Sequence, residues 1–172
     1  MTGSLEWNIK TAFRSYVAAI PDGTEQWLSP HGALEPSTFR FDLVDDSAFD
    51  ADSLTGSLRF AGAVRFRGYR GALLVSIADP VLEIEGDRIL ISVDIATPGT
   101  AADRTPFAVA VLPQTPTPNH SDSESDTWRA ALVWHVPQSR LSAEGGMLLG
   151  SVYREGTELD PFICTISKDQ HA

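Results

Sequence analysis

The chain has 172 residues and a formal net charge of −10, with 42% apolar and 21% charged residues. This length and composition predict one soluble globular domain over residues 1–172 and exclude a wholly disordered chain. The acidic excess argues against nucleic-acid binding, which needs a broadly cationic surface.

The sequence was searched for a membrane span and a secretory signal. No apolar run reaches the roughly 18 to 20 residues that a membrane span requires. The first residues, MTGSLEWNIK, lack a basic stretch followed by an apolar one. We therefore expect a cytoplasmic protein, or a secreted or cell-surface one if the chain begins after a removed leader.

The first predicted element is a helix. One broad helical face collects the apolar and aromatic residues Trp7, Ile9, Phe13, Tyr16, Val17 and Ile20. Ser4 suits the N-cap, and the Pro21-Asp22-Gly23 sequence ends the helix. Tyr16 then lies near the C-terminal end, where its side chain can emerge over whatever the helix covers.

The rest of the chain reads as β-strands. Alternation of apolar and charged residues starts at Phe39, and residues 82–95 form a predicted hairpin around a Glu-Gly-Asp-Arg turn. Further short apolar runs occupy 107–112, 128–136, 147–153 and 162–167. The proline- and serine-rich stretch 113–126 is expected to be a mobile loop. The fold class is therefore mainly β, an antiparallel β-sandwich or barrel-like sheet with a short N-terminal α-helix.

A cationic strip stands out in this acidic chain. Four arginines fall within twelve positions, namely Arg59, Arg65, Arg67 and Arg70. Without a bulge, Tyr69 projects on the arginine face of the strand and not on the phenylalanine face. Gly68 and Gly71 flank it and mark either a bulge or room for a ligand. The strip is either a solvated strand face or a surface for a small anionic ligand.

Enzyme signatures are missing from the sequence. It contains no Gly-x-Ser-x-Gly, no Walker loop and no Gly-x-Gly-x-x-Gly cradle. Its four histidines are scattered, and Cys164, the single cysteine, lies in an apolar strand typical of a buried, inert thiol. We expect no enzyme activity.

Three stretches carry a resemblance to a known family: LEWNIKTAFRSYV near the start, LTGSLRFAGAVRFRGYRGALLVSIADPVLEI in the middle, and LSAEGGMLLGSVYREGTELDPF near the end. Together they resemble the HtaA domain, a haem-binding module of actinobacterial surface and secreted haem-uptake proteins. Each motif alone is weak, but their order and spacing cover almost the whole chain. The resemblance implies an antiparallel β-sandwich with a short N-terminal helix.

The resemblance also implies a site. The family's haem-ligating tyrosine corresponds to Tyr16, which makes Tyr16 the expected metal ligand. The family's supporting histidine corresponds to Tyr69, a departure from the pattern. Tyr69 can still donate a hydrogen bond to a Tyr16 phenolate, but it carries no positive charge near neutrality. Arg65, Arg67 or Arg70 would then supply positive potential or pair with haem propionates.

Two functions remain open at this stage. The first is a non-catalytic ferric-haem binding or carrier protein that uses Tyr16 as axial ligand, with haem or another small anionic ligand as its partner. The second is an HtaA-like interaction or ligand-binding module that has lost haem ligation, in which the two tyrosines simply pack. Tyr69 approaching the iron itself is a further option. Exposed strand edges also allow a homodimer.

Overall fold

The computed structural model describes residues 1–28, 38–94, 104–112, 117–119 and 131–167; for 117–119 and 131 the description covers the backbone alone. Within these ranges lie two α-helices and thirteen strands. Their bounds are β1 (Thr2–Trp7), α1 (Thr11–Ala19), β2 (Thr24–Leu28), β3 (Phe39–Asp50), β4 (Thr55–Ala61), β5 (Ala63–Gly68), β6 (Leu73–Glu85), β7 (Arg88–Asp94), β8 (Arg104–Val111), β9 (Thr117–Asn119), β10 (Ala131–Val136), β11 (Ser139–Leu141), α2 (Ala143–Leu148), β12 (Glu158–Leu159) and β13 (Phe162–Ser167). A single 3-10 turn, Tyr69–Gly71, joins β5 to β6.

All strands belong to one antiparallel sheet that curls into a half-barrel. Its main path runs β12-β11-β8-β7-β6-β4-β3-β1-β13-β10-β9. The long strand β6 pairs with β5 along residues 73–78 and with β4 along residues 81–84. The sheet therefore forks, and β2 pairs with β5 on the side branch. This mainly β, antiparallel architecture confirms the predicted fold class.

The opening segment is a strand followed by a helix, so the predicted helix start is wrong. Ser4 is not an N-cap but a buried residue of β1, paired with Thr165 of β13 and Asp42 of β3. The chain breaks at Ile9, whose φ is 65°, and α1 begins only at Thr11. Residues 4–7 of β1 pair with a strand on each side, and this backbone hydrogen bonding outweighs the local capping signal. The predicted helix end near residues 21–23 is confirmed.

The apolar run 147–153 is not a strand either. Its first residues complete the short helix α2, which Ser142 caps by accepting a hydrogen bond from the Gly145 amide at 2.8 Å. A Cβ on Gly145 would lie 2.1 Å from the Phe107 carbonyl oxygen, so glycine lets α2 press directly onto β8. Close packing against β8 therefore favours helix over strand at this point. The predicted hairpin, observed as β6 and β7, and the strand 162–167 are confirmed.

The buried apolar side chains of the described residues form one hydrophobic core. Its largest fully buried side chains are aromatic, and they include Trp7, Phe13, Phe66, Phe107 and Phe162. Helix α1 packs against β2 and β5, and its Phe13 ring meets Phe66 of β5 edge to face with centroids 5.1 Å apart. Such aromatic pairs add about 0.5–1.5 kcal/mol to the burial of their area. This contact fixes the helix against the side branch of the sheet.

The structure describes only part of the predicted loop 113–126. Of the predicted loop 113–126, residues 117–119 form strand β9, which pairs with β10, and all its other residues lie outside the described ranges. Neither α1 nor α2, the helices of the described ranges, has the length and hydropathy of a membrane-spanning helix.

Candidate functional site

Tyr16 lies three residues before Ala19, the last residue of helix α1. Phe13 and Val17 form the buried face of this helix, each 1% exposed, and Tyr16 sits beside Phe13 at the margin of that face. The Phe13 and Tyr16 ring centroids are 6.2 Å apart. The partly buried ring of Tyr16 therefore rests on the core while its hydroxyl reaches the surface.

Helix α1 is capped from the far end of the chain. Lys10 occupies the N-cap position but its side chain makes no capping hydrogen bond. The Asp160 carboxylate accepts the Thr11 amide at 2.8 Å and also bonds the Thr11 hydroxyl. Trp7 Nε1 donates to the Asp160 carbonyl at 3.0 Å. Asp160 therefore joins the closing segment of the chain to the start of the Tyr16 helix.

Tyr69 lies in the 3-10 turn after β5, outside the strand in which the alternation pattern placed it. Both Tyr69 (φ 52°) and Arg70 (φ 57°) adopt left-handed backbone conformations. Such conformations cost a non-glycine residue about 1–2 kcal/mol each. Tyr69 is 51% exposed, so burial of its side chain does not account for this strain. The turn must be held by other contacts.

The Asp22 carboxylate holds this turn. Its Oδ1 accepts the Tyr69 amide at 2.9 Å, and its Oδ2 accepts the Arg70 amide at 2.5 Å. A charged acceptor strengthens both hydrogen bonds, so this carboxylate restrains the turn against its left-handed strain. A third bond, from the Ala72 amide to the Tyr69 carbonyl at 3.1 Å, closes the turn.

The two tyrosines meet at their hydroxyl groups. Tyr16 donates to the Tyr69 hydroxyl oxygen at 3.0 Å, with the ring centroids 6.4 Å apart and the planes inclined by 54°. This hydrogen bond raises the pKa of Tyr16 above its ordinary 10.0, since it holds the phenol proton; partial desolvation and the nearby Tyr69 and Tyr153 phenols act in the same direction. The geometry predicted from the motifs, two phenols within reach of each other, is what the structure brings together.

The third tyrosine of the chain lies at the same place. The Tyr153 ring centroid is 6.3 Å from that of Phe13, and Lys10 Nζ lies 4.9 Å from the Tyr153 ring centroid. Burial raises the pKa of Tyr153. Tyr16 and Tyr153 therefore both contact Phe13, and Tyr69 contacts Tyr16.

Apolar surface adjoins the tyrosine pair. Gly68, directly before Tyr69, pairs with Leu73 of β6. A Cβ on Gly150 would lie 3.2 Å from Leu73 Cδ1 and 3.9 Å from Val152 Cγ2, so the segment before Tyr153 runs beside this end of β6. Val152 is half exposed. The space that a Gly68 side chain would need is occupied by Ile20, at 2.8 Å, rather than left for a ligand.

The three candidate arginines do not converge on the pair. Arg65 and Arg67 alternate with Phe66, which packs on Phe13, and so project from the opposite face of β5. Arg70 shares the turn with Tyr69, and its side chain is exposed. None of the three forms an ion pair with any residue in the described ranges. Arg70 alone is beside the tyrosines.

Other features of the described chain offer less chemistry. A groove of about 560 Å³ on the other side of α1 is lined by Arg14, Ser15 and Glu25, among other residues. Neither Tyr16 nor Tyr69 lines this groove. No group of three metal-ligating His, Cys, Asp or Glu side chains occurs within the ranges that the structure describes. Cys164 is buried, and burial raises its pKa to about 12, so its thiol stays protonated.

Sequence reasoning missed two residues of this site. Asp22 was read only as part of a helix stop, and Asp160 only as part of a closing motif. Both act on backbone amides more than 40 residues away, at Tyr69 and Thr11. A carboxylate beside a glycine or proline signals a turn, but the partner of that carboxylate depends on the tertiary structure.

The fold and site define a class: a curled antiparallel β domain whose opening helix presents a tyrosine to a second tyrosine on a β-turn. Comparison with protein families identifies it. The model of the HtaA family, described as Htaa, matches residues 2–165, and the chain belongs to this family.

Solved structures share the fold. The C-terminal domain of HtaA from Corynebacterium glutamicum superposes with a TM-score of 0.75 at 20% identity, covering 97% of this chain and 96% of that one. The N-terminal domain of the same protein gives a TM-score of 0.70 at 19% identity, covering 99% and 98%. The heme binding protein HtaB from that organism gives 0.63 at 17% identity, covering 98% and 93%. No curated protein matches significantly.

Proposed function

We propose that this domain binds ferric haem reversibly, with the Tyr16 hydroxyl oxygen as the axial ligand. The observation that carries the proposal is the Tyr16–Tyr69 hydroxyl pair, 3.0 Å apart at the accessible end of the opening helix. The HtaA family membership supports it, as does the fold shared with a heme binding protein.

The residues present fit such a ligand. Haem supplies a ferric ion that takes an anionic oxygen donor, and tyrosine is an established haem ligand. The Tyr16 oxygen reaches the surface, whereas the Cys164 thiol is fully buried. The half-exposed Val152 and the Tyr153 ring at the same end of the fold offer apolar surface to a flat macrocycle.

Ligation requires Tyr16 to lose its proton. In the unliganded protein Tyr16 donates to Tyr69. Once Tyr16 is a phenolate, the Tyr69 hydroxyl turns to donate to it, and a charge-assisted bond of this kind is about twice as strong as a neutral one. Binding therefore releases one proton, and the affinity should rise as pH increases through the neutral range.

Arg70 is the best placed of the three arginines to pair with a haem propionate. It follows Tyr69 in the same turn, is exposed, and has no ion-pair partner among the described residues. Arg65 and Arg67, on the opposite face of β5, contribute at longer range. The domain is a carrier or transient store in this proposal, without turnover.

Hemin titration of the purified domain tests the proposal. Wild type should give a saturable tyrosinate-type absorption band, and Tyr16→Phe should abolish it because phenylalanine offers no oxygen. Tyr153→Phe is the matched control: it removes a phenol at the same end of the fold, and the band should persist. Unchanged hemin binding by Tyr16→Phe contradicts the proposal.

The same titration addresses the alternative, an interaction module that has lost haem ligation. That alternative requires no saturable hemin binding by wild type, together with a gain of binding in Tyr69→His. Saturable binding by wild type that depends on Tyr16 rejects it.

A further inference from the structure

Asp22 makes contacts that suit it to position Tyr69. It lies three residues after the end of α1, the helix that carries Tyr16, and each of its carboxylate oxygens accepts one amide of the turn that carries Tyr69. A single side chain thus links the two elements whose hydroxyl groups meet. Asp22 and Tyr69 are 47 positions apart in the chain, so only the folded structure creates this link.

The turn needs this restraint. Tyr69 and Arg70 are two consecutive non-glycine residues with φ near +55°, as the values of 52° and 57° show. The Tyr69 side chain packs too little to hold such a backbone, since half of it is exposed. Residues in sparsely populated conformations persist only where the surroundings over-determine them, and they cluster at functional sites.

The fixed backbone sets the direction of the Tyr69 side chain. A phenol has two rotatable side-chain bonds, so the position of its oxygen follows mainly from the backbone and one rotamer. If the turn relaxed to ordinary right-handed values, the Cα–Cβ bond of Tyr69 would point elsewhere and the 3.0 Å contact with Tyr16 would be lost.

We propose that Asp22 is a positioning residue of the candidate site: its carboxylate clamps the Tyr69–Arg70 turn so that the Tyr69 hydroxyl meets that of Tyr16. The consequence for ligand affinity rests on the proposed function. The hydroxyl contact itself exists without any ligand, so it can be tested separately.

The first experiment observes the tyrosines without haem. Tyrosine labelled with carbon-13 at Cζ gives three signals, one for each tyrosine of the chain, and single Tyr→Phe variants assign them. Tyr69→Phe should shift the Tyr16 signal because it removes the hydrogen-bond partner. Asp22→Asn, which keeps the size but replaces one acceptor by a donor, should shift it in the same direction.

A double variant distinguishes a positioning role of Asp22 from a general effect of the substitution on the Tyr16 signal. Asp22→Asn should leave the Tyr16 signal unchanged when it is added to Tyr69→Phe, because the contact is already absent. Asp50→Asn is the matched control: Asp50 Oδ1 also accepts two turn amides, those of Asp52 and Ser53, but in the β3–β4 connection. It should leave the Tyr16 signal unchanged.

The second experiment measures hemin affinity. Loss of the hydrogen-bond partner of a metal ligand, here the contact of Tyr69 with Tyr16, typically lowers affinity about 10- to 100-fold. We expect a loss in this range for Asp22→Asn and no loss for Asp50→Asn. Should Asp22→Asn fail to fold, Asp22→Glu keeps the charge, moves both oxygens by one methylene, and should shift the Tyr16 signal likewise.

The outcomes are distinct. An unshifted Tyr16 signal in folded Asp22→Asn or Asp22→Glu overturns the positioning role, whatever hemin does. A shifted signal with unchanged hemin affinity shows that the clamp does not serve the ligand and also overturns the proposal. If wild type binds no hemin, the proposed function fails, while the carbon-13 experiment still decides whether Asp22 sets the hydroxyl contact.

Discussion

Tyr16 and Tyr69 end in one hydrogen bond but reach it by different means. Tyr16 belongs to a regular helix whose neighbour Phe13 is 1% exposed and packed on Phe66. Tyr69 belongs to a three-residue turn with left-handed backbone angles, and it is half exposed. The first tyrosine is held by the hydrophobic core, the second by two hydrogen bonds to one carboxylate.

The difference separates stability from site geometry. Substitution of the core residues that support Tyr16 should lower the free energy of unfolding together with any ligand affinity. Substitution of the residues that hold the Tyr69 turn should alter the hydroxyl contact while leaving the fold nearly as stable. The position of Tyr16 thus depends on the hydrophobic core, whereas the position of Tyr69 depends on surface hydrogen bonds.

The largest expected effect is that of Phe13→Ala. Removing a buried phenylalanine typically costs about 3–5 kcal/mol of unfolding free energy. Tyr69→Ala, at a half-exposed position, should cost about 1 kcal/mol or less. Urea denaturation of both variants measures the contrast. Equal losses would contradict the division between a core-held and a turn-held tyrosine.

An intermediate effect is expected from Asp160→Ala, which removes the cap of the Tyr16 helix. Loss of an N-cap side chain typically costs about 0.5–2 kcal/mol. Ser142→Ala, which removes the local cap of α2, is the matched control and should cost a similar amount. The two differ in hydrogen exchange: only Asp160→Ala should speed exchange of the α1 amides. Equal exchange rates in α1 for both variants would reject this role of Asp160.

The smallest effect concerns alkaline pH. Because the pKa of Tyr16 is raised in the folded state, chiefly by the bond to Tyr69, the folded protein favours the neutral phenol. The contribution is fully present below about pH 10, the ordinary pKa, and is lost as pH rises through the folded value. Tyr69→Phe removes the main cause, so its stability should fall less on going from pH 9 to pH 11.

Thermal unfolding of wild type and Tyr69→Phe across this range provides the measurement. The raised pKa of the buried Cys164 thiol also lowers stability at alkaline pH, but it does so equally in both proteins. The difference between the two melting curves therefore isolates the phenol pair. Parallel curves from pH 9 to pH 11 would contradict the coupling.

Much of the fold followed from periodicity. The short apolar run 162–167 and the alternation around the β6–β7 turn predicted strands that the structure contains, because both patterns over so few residues suit a strand. It failed where sheet pairing or helix packing decided the outcome. The local sequence around Ser4 is typical of a helix N-cap, yet its segment forms strand β1, which pairs with β3 and β13. The run 147–153 looks like a strand, yet Gly145 lets a helix approach β8.

The sequence by itself determined the mainly β class, the family resemblance and the two tyrosines of the candidate site, since these depend on residue type and spacing along the chain. The tertiary structure alone decided that Asp22 clamps the Tyr69 turn, that Asp160 caps the Tyr16 helix, and that Arg65 and Arg67 face away from the pair. The physical reason is that carboxylate–amide contacts and strand faces join residues distant in sequence. Their partners are defined only when the sheet has curled and brought both ends of the chain together.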